Sequence, residues 1–250
     1  MDDHCVAILA CRVQGSRLYG KPLQHLINGG ITVIESLIEQ IKVAKSVKKI
    51  ALAISEEKDN WGFIELAKKH SLPYVLGDQH DVLKRIIQAA ELLNAKYILR
   101  STSECPFILG DYIDSLFKDF ILGDYDRASY EDTPEGTGFE LVKTKALVKS
   151  HKEGSDKHRS ELVTSYIFEN QGKFKLLNMK LPEHLRRPEV RLTVDYAEDL
   201  IFCQQVYRAL NEDGKLINVE DIIKFWDANP ELRKPMEIIG IDWGHGRLWE

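Results

Sequence analysis

The chain has 250 residues, 44% hydrophobic and 29% charged, with 34 Lys and Arg against 39 Asp and Glu for a formal net charge of −5. That length suits one α/β domain with a substantial core, and the acidic balance excludes the overall basic field that gathers nucleic acid. No run approaches the roughly 20 apolar residues of a membrane span, and Asp2 and Asp3 lead into the first apolar segment where a signal peptide would be basic.

Strand-like and helix-like segments alternate along the first half. Residues 6–11 read as a buried strand. Residues 31–44 carry Ile31, Ile34, Leu37, Ile38 and Ile41 at helical spacing. A strand over 50–54, a helix over 61–70 and a short strand over 73–76 follow. A helix over 81–93 has Asp81 as its N-cap; a strand over 97–99 and a helix over 112–122 complete the half. Four such alternations predict an α/β fold, a mostly parallel sheet with helices on both faces. Ligands on such sheets sit beyond the carboxyl ends of the strands, so the loops near Arg12, Ser55, Gly77 and Ser101 are where chemistry is expected. The second half is less regular. Strands are expected over 128–130 and 139–142 around the loop 134–138, then a helix over 159–169 and strands over 174–179 and 191–194. Helices over 198–210 and 219–226 close the pattern. Without a repeat or linker the chain reads as one domain, 1–250, with 238–250 as an ordered or partner-contacting tail. Cys5, Cys11, Cys105 and Cys203 make neither a C-x-x-C pair nor a zinc spacing, and free thiols in a reducing cytoplasm are the simplest reading.

The most informative segment follows the first strand. Arg12, Arg17 and Lys21 lie within one short loop, with Gly15 and Gly20 between them. Glycines let backbone amides approach a phosphate, arginines fork onto its oxygens, and lysine adds a compact charge. Gly15 to Lys21 spells G-x-x-x-x-G-K, but Pro22 stands where a P-loop has its metal-binding hydroxyl. A phosphotransferase of that type is therefore the remote alternative, and no G-x-G-x-x-G supports a dinucleotide turn.

The run 8–23 resembles the N-terminal signature of the cytidylyltransferases that activate sugars, the acylneuraminate and 3-deoxy-manno-octulosonate enzymes, with the spore-coat polysaccharide F-type branch nearest. Cys11-Arg12, Gly15-Ser16, Arg17-Leu18 and Gly20-Lys21 carry the likeness; Tyr19 replaces the usual Pro. The resemblance implies a three-layer α/β/α sandwich of the nucleotide-diphospho-sugar transferase type. It implies that Arg12, Gly15, Ser16, Arg17 and Lys21 hold a nucleoside triphosphate, with Arg12, Lys21 and Asp195 central to catalysis.

Further segments extend the likeness over residues 6–230. Arg191-Leu192-Thr193-Val194-Asp195 and Glu198-Asp199-Leu200 resemble T-V-D-x-x-E-D-L, whose first Asp binds a metal; Asp195 could instead simply cap the following helix. Glu104 stands where the family has Asp before x-Pro, and the same two readings, metal ligand or cap, apply to it. Mg²⁺ suits few carboxylates, with phosphates and water completing its shell. Gly77, Asp81 and Arg85 match G-x-x-x-D-V-L-x-R, a loop that borders the nucleotide; the alternative is a capped helix with a solvated Arg. Glu140 matches an acceptor-side glutamate, or is a strand-edge carboxylate. Arg159 and Glu161 match part of R-E-H-V-T, with Leu162 in place of its His and His158 one turn earlier.

The resemblance thus implies Mg²⁺-dependent transfer of CMP from CTP to a sugar or sugar-acid acceptor, in a soluble enzyme of polysaccharide biosynthesis; relatives are often homodimers, and the oligomeric state is left open. Neither nucleic acid nor membrane is an expected partner. Two alternatives stand beside it. One is an enzyme of the same fold with a phosphate- or phosphonate-bearing acceptor or another NTP. The other is a member that binds nucleotide or a partner without turnover, to which Tyr19, Glu104 and Leu162 point.

Overall fold

A computed structural model describes residues 3–15, 17–211 and 214–238. Seven strands form one sheet: β1 (Cys5–Cys11), β2 (Val47–Ser55), β3 (Tyr74–Gly77), β4 (Tyr97–Thr102), β5 (Arg127–Glu131), β6 (Glu140–Lys143) and β7 (Leu176–Lys180). Their order is β3-β2-β1-β4-β6-β5-β7. β6 runs antiparallel to β4 and β5, and the remaining pairings are parallel. The sheet is therefore mixed and mostly parallel, as the alternation predicts.

The central strand explains the layering. Cys5, Ala7, Leu9 and Cys11 of β1 enter one core, beneath α1 (Val33–Lys42), α2 (Trp61–Lys69), α4 (Ile113–Leu122), α7 (Ala197–Leu210) and α8 (Val219–Ala228). Val6 and Ile8 enter a second core, beneath α3 (Val82–Leu92), α5 (Thr144–Glu153) and α6 (Ser165–Glu169). A strand buried on both faces has no polar alternate positions, so it reads as an unbroken apolar run. Burying each Leu or Ile of this kind is worth about 1.5–3 kcal/mol. A short α9 (Lys234–Ile238) ends the described chain, so the interface tail expected over 238–250 lies, beyond Ile238, outside the described residues.

Local chemistry sets the element ends. α1 starts two residues later than its apolar spacing suggests because Thr32 caps it: Glu35 N donates to the Thr32 hydroxyl at 3.3 Å, and the Glu35 carboxylate accepts the Thr32 amide at 2.9 Å. The helix expected over 159–169 is broken. A 3-10 turn, Asp156–Arg159, precedes an irregular stretch, and α6 begins only at Ser165. In that stretch the Ser160 hydroxyl takes the Leu162 amide, and Thr164 gives its hydroxyl to Glu140, the competition by which Ser and Thr disfavour helix interiors. Residues 191–194 form no strand. Their backbone is stitched to separate partners, Leu192 N to Glu135 O at 2.7 Å and Val194 N to Glu104 O at 3.0 Å, with one isolated bridge at Arg191. α5 has no counterpart in the sequence pattern, since it buries only Ala146, Leu147 and Ser150.

Candidate active site

The loop after β1 is shaped from its backbone outward. Val13 N donates to the buried Asn60 side chain at 2.8 Å, and Gly20 N closes the loop on Val13 O at 2.8 Å. Asn60 is itself held by Glu57, which also takes the Ser55 hydroxyl at the end of β2. Gly20 adopts φ 61°, a left-handed conformation open to glycine, and starts the 3-10 turn Lys21–Leu23 with Pro22 at its N-terminal end. A Cβ on Gly15 would sit 2.7 Å from Leu18 O, so this loop closes only around glycine. Ser16, expected beside the nucleotide, lies outside the described residues.

This folding brings the loop's cations to Asp195. Lys21 Nζ donates to Asp195 Oδ1 at 2.5 Å and Arg17 Nη2 to the same oxygen at 3.3 Å, while Arg191 Nη2 reaches Oδ2 at 3.1 Å. Arg17 also lies 5.0 Å over the Tyr196 ring. Burial works to raise the Asp195 carboxyl, but Lys21, Arg17 and Arg191 hold it below the usual carboxylate range. Asp195 does not cap α7. The amides of Asp195 and Tyr196 both donate to the Asp199 carboxylate at 2.9 Å, and Asp199 also anchors Arg191 at 2.9 Å. The Asp195 carboxylate is thereby left to the cations.

Glu104 stands next to this group because Val194 N binds its carbonyl at 3.0 Å. It caps nothing in α4: among the described residues no ion pair or side-chain hydrogen bond to another residue reaches its carboxylate. Burial pushes that carboxyl above the usual range and Asp195 adds to the push, against Lys21 and Arg100.

Arg17, Lys21, Glu104 and Asp195 line a cleft of about 510 Å³ at the carboxyl ends of β1 and β4, together with Arg12, Gly15, Arg85, Arg100, Glu140, Glu161 and Leu162. Arg12, half-exposed, reaches Glu161 at 3.5 Å. Arg85 is 1% exposed, so the solvated-Arg alternative fails; its Nη1 donates to the carbonyls of Asp78 at 2.8 Å and Gln79 at 3.4 Å. Burial lowers its pKa.

Three expected site residues do not line the cleft. Gly77 acts through Arg85, since a Cβ there would lie 2.9 Å from Arg85 Cγ. Asp81 caps α3 by accepting Lys84 N at 2.9 Å and pairs with His151 at 2.8 Å. Arg159 is drawn away to Asp156 at 2.7 Å and lies 3.8 Å from Asp81. His158 turns to Glu169 and Ser155. Glu140 lines the cleft, yet its oxygens are already engaged by Arg127 at 2.6 and 2.8 Å, Arg100 at 3.0 Å and Thr164 at 2.9 Å. Burial alone would raise its carboxyl, but Arg127 and Arg100 hold it at about 2. Neither a strand edge nor a free acceptor ligand, it is a buried charge anchor.

Residues that pattern reading passes over complete the site: Asn60, Arg100, Arg191 and Asp199. Arg100, Arg191 and Asp199 sit inside or beside segments that stood out in the sequence; Asn60 does not, and its partner Val13 is remote in the chain. A hard divalent cation fits the donor set. Asp195 and Glu104 are two hard carboxylates in one cleft lining, and Mg²⁺ takes few carboxylates and keeps phosphate and water ligands. Glu104 is a half-buried carboxylate with no ion pair among the described residues, and Asp195 is paired with Arg17, Lys21 and Arg191.

A mostly parallel α/β sheet with a cationic loop after its first strand and two carboxylates opposite defines the nucleotidyltransferase class. Residues 6–221 match the family model described as Cytidylyltransferase, and the chain belongs to the cytidylyltransferase family. Uncharacterized protein MJ1063 of Methanocaldococcus jannaschii is 30% identical over 230 residues, covering 91% of this chain and 92% of that protein. Spore coat polysaccharide biosynthesis protein SpsF of Bacillus subtilis is 23% identical over 92% of this chain and 97% of its own. Among solved structures, a cytidylyltransferase from Leptospira borgpetersenii superposes with TM-score 0.82 at 23% identity over 92% of this chain and 96% of that one. A CMP:2-keto-3-deoxy-manno-octonic acid synthetase complexed with CTP superposes with TM-score 0.62 at 12% identity over 82% and 99%. The resemblance and the fold expected from the sequence are both met. No described helix is long and apolar enough to cross a membrane.

Proposed function

We propose that this nucleotidyltransferase moves CMP from CTP to a hydroxyl of a sugar or sugar-acid acceptor and releases pyrophosphate, supplying an activated sugar for cell-surface polysaccharide. The observation that carries this reading is the convergence of Arg17 and Lys21 on Asp195 at the mouth of one cleft, with Arg12 in the same lining. Family membership supports cytidine as the base, and the likeness to SpsF supports polysaccharide as the destination.

Arg12, Arg17 and Lys21 bind the triphosphate, with Gly15 letting the loop backbone close on it. Arg85 and the carbonyls it orders at Asp78 and Gln79 border the nucleoside. Asp195, with Glu104, would hold Mg²⁺, which when bound neutralises phosphate charge and lowers the pKa of the acceptor hydroxyl. The acceptor oxygen forms a bond to the α-phosphorus as the bond to the β-phosphate oxygen breaks. Pyrophosphate leaves and the hydroxyl proton passes to solvent. The side chains contribute position and charge stabilisation. The buried thiols, none in a disulfide, agree with a cytoplasmic enzyme.

Pyrophosphate release from CTP in the presence of Mg²⁺ and candidate acceptors tests the reading, with the other three NTPs run in parallel. Lys21→Ala should lower kcat/KM for CTP at least about 100-fold, the scale of losing one charge-stabilising donor. Full pyrophosphate release by that variant would sink the proposal.

A further inference from the structure

Four loops leave the carboxyl ends of β1 to β4, and three of them lead to residues that line the cleft, Arg12, Arg85 and Ser101. The fourth runs from Ser55 at the end of β2 to Trp61 at the start of α2 and contributes no lining residue. It nevertheless buries two polar side chains, Ser55 fully and Asn60 at 1% exposed. Burying such groups is costly unless they are hydrogen-bonded, and here the bonds run toward the phosphate loop.

β1 pairs with β2 only as far as Cys11, opposite Ile54. The Val13 amide lies past the end of that ladder and needs another acceptor. Asn60 Oδ1 supplies it at 2.8 Å. The Asn60 carboxamide cannot turn over, because its Nδ2 donates to Glu57 at 3.1 Å, and the same Glu57 oxygen takes the Ser55 hydroxyl. Val13 passes the constraint on. Its carbonyl accepts Gly20 N at 2.8 Å, and Gly20, in its left-handed conformation, leads into Lys21. The β2 loop is tied on its other side as well, since Glu56 N donates to Gly77 O at 3.0 Å, at the turn that leads to Arg85. It thus grips two cleft-forming loops without entering the cleft.

We infer that Asn60 is a positioning residue for nucleotide binding: through Val13 and Gly20 it sets the loop conformation in which Arg12 and Lys21 face the cleft. A carboxamide committed at both ends fixes the direction of the Val13 amide as well as satisfying it, and a loop fixed in advance loses less freedom when a ligand arrives. The inference rests on the nucleotidyl-transfer reading above and adds a residue that touches no substrate.

The test is CTP affinity by calorimetry in three variants, with amide exchange read residue by residue. Asn60→Ala removes both side-chain bonds. Asn60→Asp keeps an oxygen for Val13 but sets a carboxylate against Glu57. Adding Glu57→Gln to Asn60→Asp exchanges amide and carboxylate: the new amide nitrogen at position 57 donates to the new carboxylate at position 60 and to the Ser55 hydroxyl oxygen, so the relay is regained with its polarity reversed. Both single variants should bind CTP about tenfold more weakly, the scale of one lost buried hydrogen bond, and the double variant should return to within about threefold of wild type. Exchange at the Val13 and Gly20 amides should quicken together in the single variants, while Ala7 and Leu9 of β1 stay protected. CTP affinity within about twofold of wild type in Asn60→Ala, quickened exchange throughout β1 as well, or a double variant no tighter than Asn60→Asp would each overturn the inference. If Asn60→Ala does not fold, the comparison of Asn60→Asp with the double variant decides alone. Failure of the wild-type protein to bind CTP would overturn the nucleotidyl-transfer reading instead.

Discussion

Glu140→Gln is the sharpest perturbation the structure offers. The carboxylate is 9% exposed as a residue and accepts from Arg127, Arg100 and Thr164. Glutamine keeps its shape and removes its charge, leaving Arg127 buried without a counter-charge, beside Asn178 at 3.4 Å and the Phe168 ring. Stranding one partner of a buried ion pair costs about 3–5 kcal/mol. The carboxyl's displacement gives a similar figure by a separate route. Its pKa falls from 4.5 to about 2, and at about 1.4 kcal/mol per unit that is about 3 kcal/mol. The folded value is depressed, so this stability is present above the unfolded pKa and is lost as pH falls from about 4.5 toward 2. Denaturant unfolding at pH 7 should thus show a loss of about 3–5 kcal/mol and Tm should fall by roughly 10 °C for a chain of this size. The gap between wild type and variant should narrow as the pH is taken from 5 to 3. Adding Arg127→Met should recover part of the loss, because the more deeply buried of the two guanidinium groups is then no longer stranded. A Glu140→Gln protein within about 1 kcal/mol of wild type at pH 7 would refute the stranded-charge account.

Two other perturbations probe the nucleotide side. Gly15→Ala places a Cβ 2.7 Å from Leu18 O, so the loop must open; calorimetry should show CTP affinity falling at least about tenfold, while the strain costs about 1–3 kcal/mol of stability, and unaltered affinity would count against this loop as the phosphate cradle. Asp195→Asn should cut pyrophosphate release about 100-fold and raise the Mg²⁺ concentration needed for half-maximal rate, and chelation of divalent ions should stop the wild-type enzyme. An unchanged Mg²⁺ requirement in the Asp195→Asn variant would remove Asp195 from the metal.

What could be read from the chain in advance follows from how local each signal is. β1 and its loop were legible because a strand buried on both faces is an apolar run, and because Arg12, Arg17 and Lys21 are neighbours in sequence as well as in the cleft. Asp81 was legible as a cap, since a cap and its helix are contiguous. The charge state of Glu140 was not legible: it depends on Arg127, Arg100 and Thr164, which meet it only through the β4–β6–β5 register and the broken helix before α6. The same holds for residues 191–195. Their apolar alternation suggests a strand, but Glu135 and Glu104 take their backbone groups one at a time, and the cap role that sequence offers to Asp195 falls to Asp199, four residues on. Arg159 was misleading for a related reason. Its motif match is local, while Asp156 and Asp81 decide where the side chain goes.

The placement of Asp195 joins fold to chemistry. A cationic loop without an anion would repel itself, with Arg17 and Lys21 held near Arg191. Asp195 offsets that repulsion by accepting from all three, which on the proposed reading would keep the loop shaped for a triphosphate. Phosphate oxygens would then take Arg17 and Lys21, and the Asp195 carboxylate they leave, with Glu104, would be the group to hold a divalent cation. On that reading, one exchange of partners would order the nucleotide and free the metal ligands together. That economy depends on Arg191 remaining tied to Asp199 and Glu135, which keeps the α7 end fixed while its neighbours trade partners.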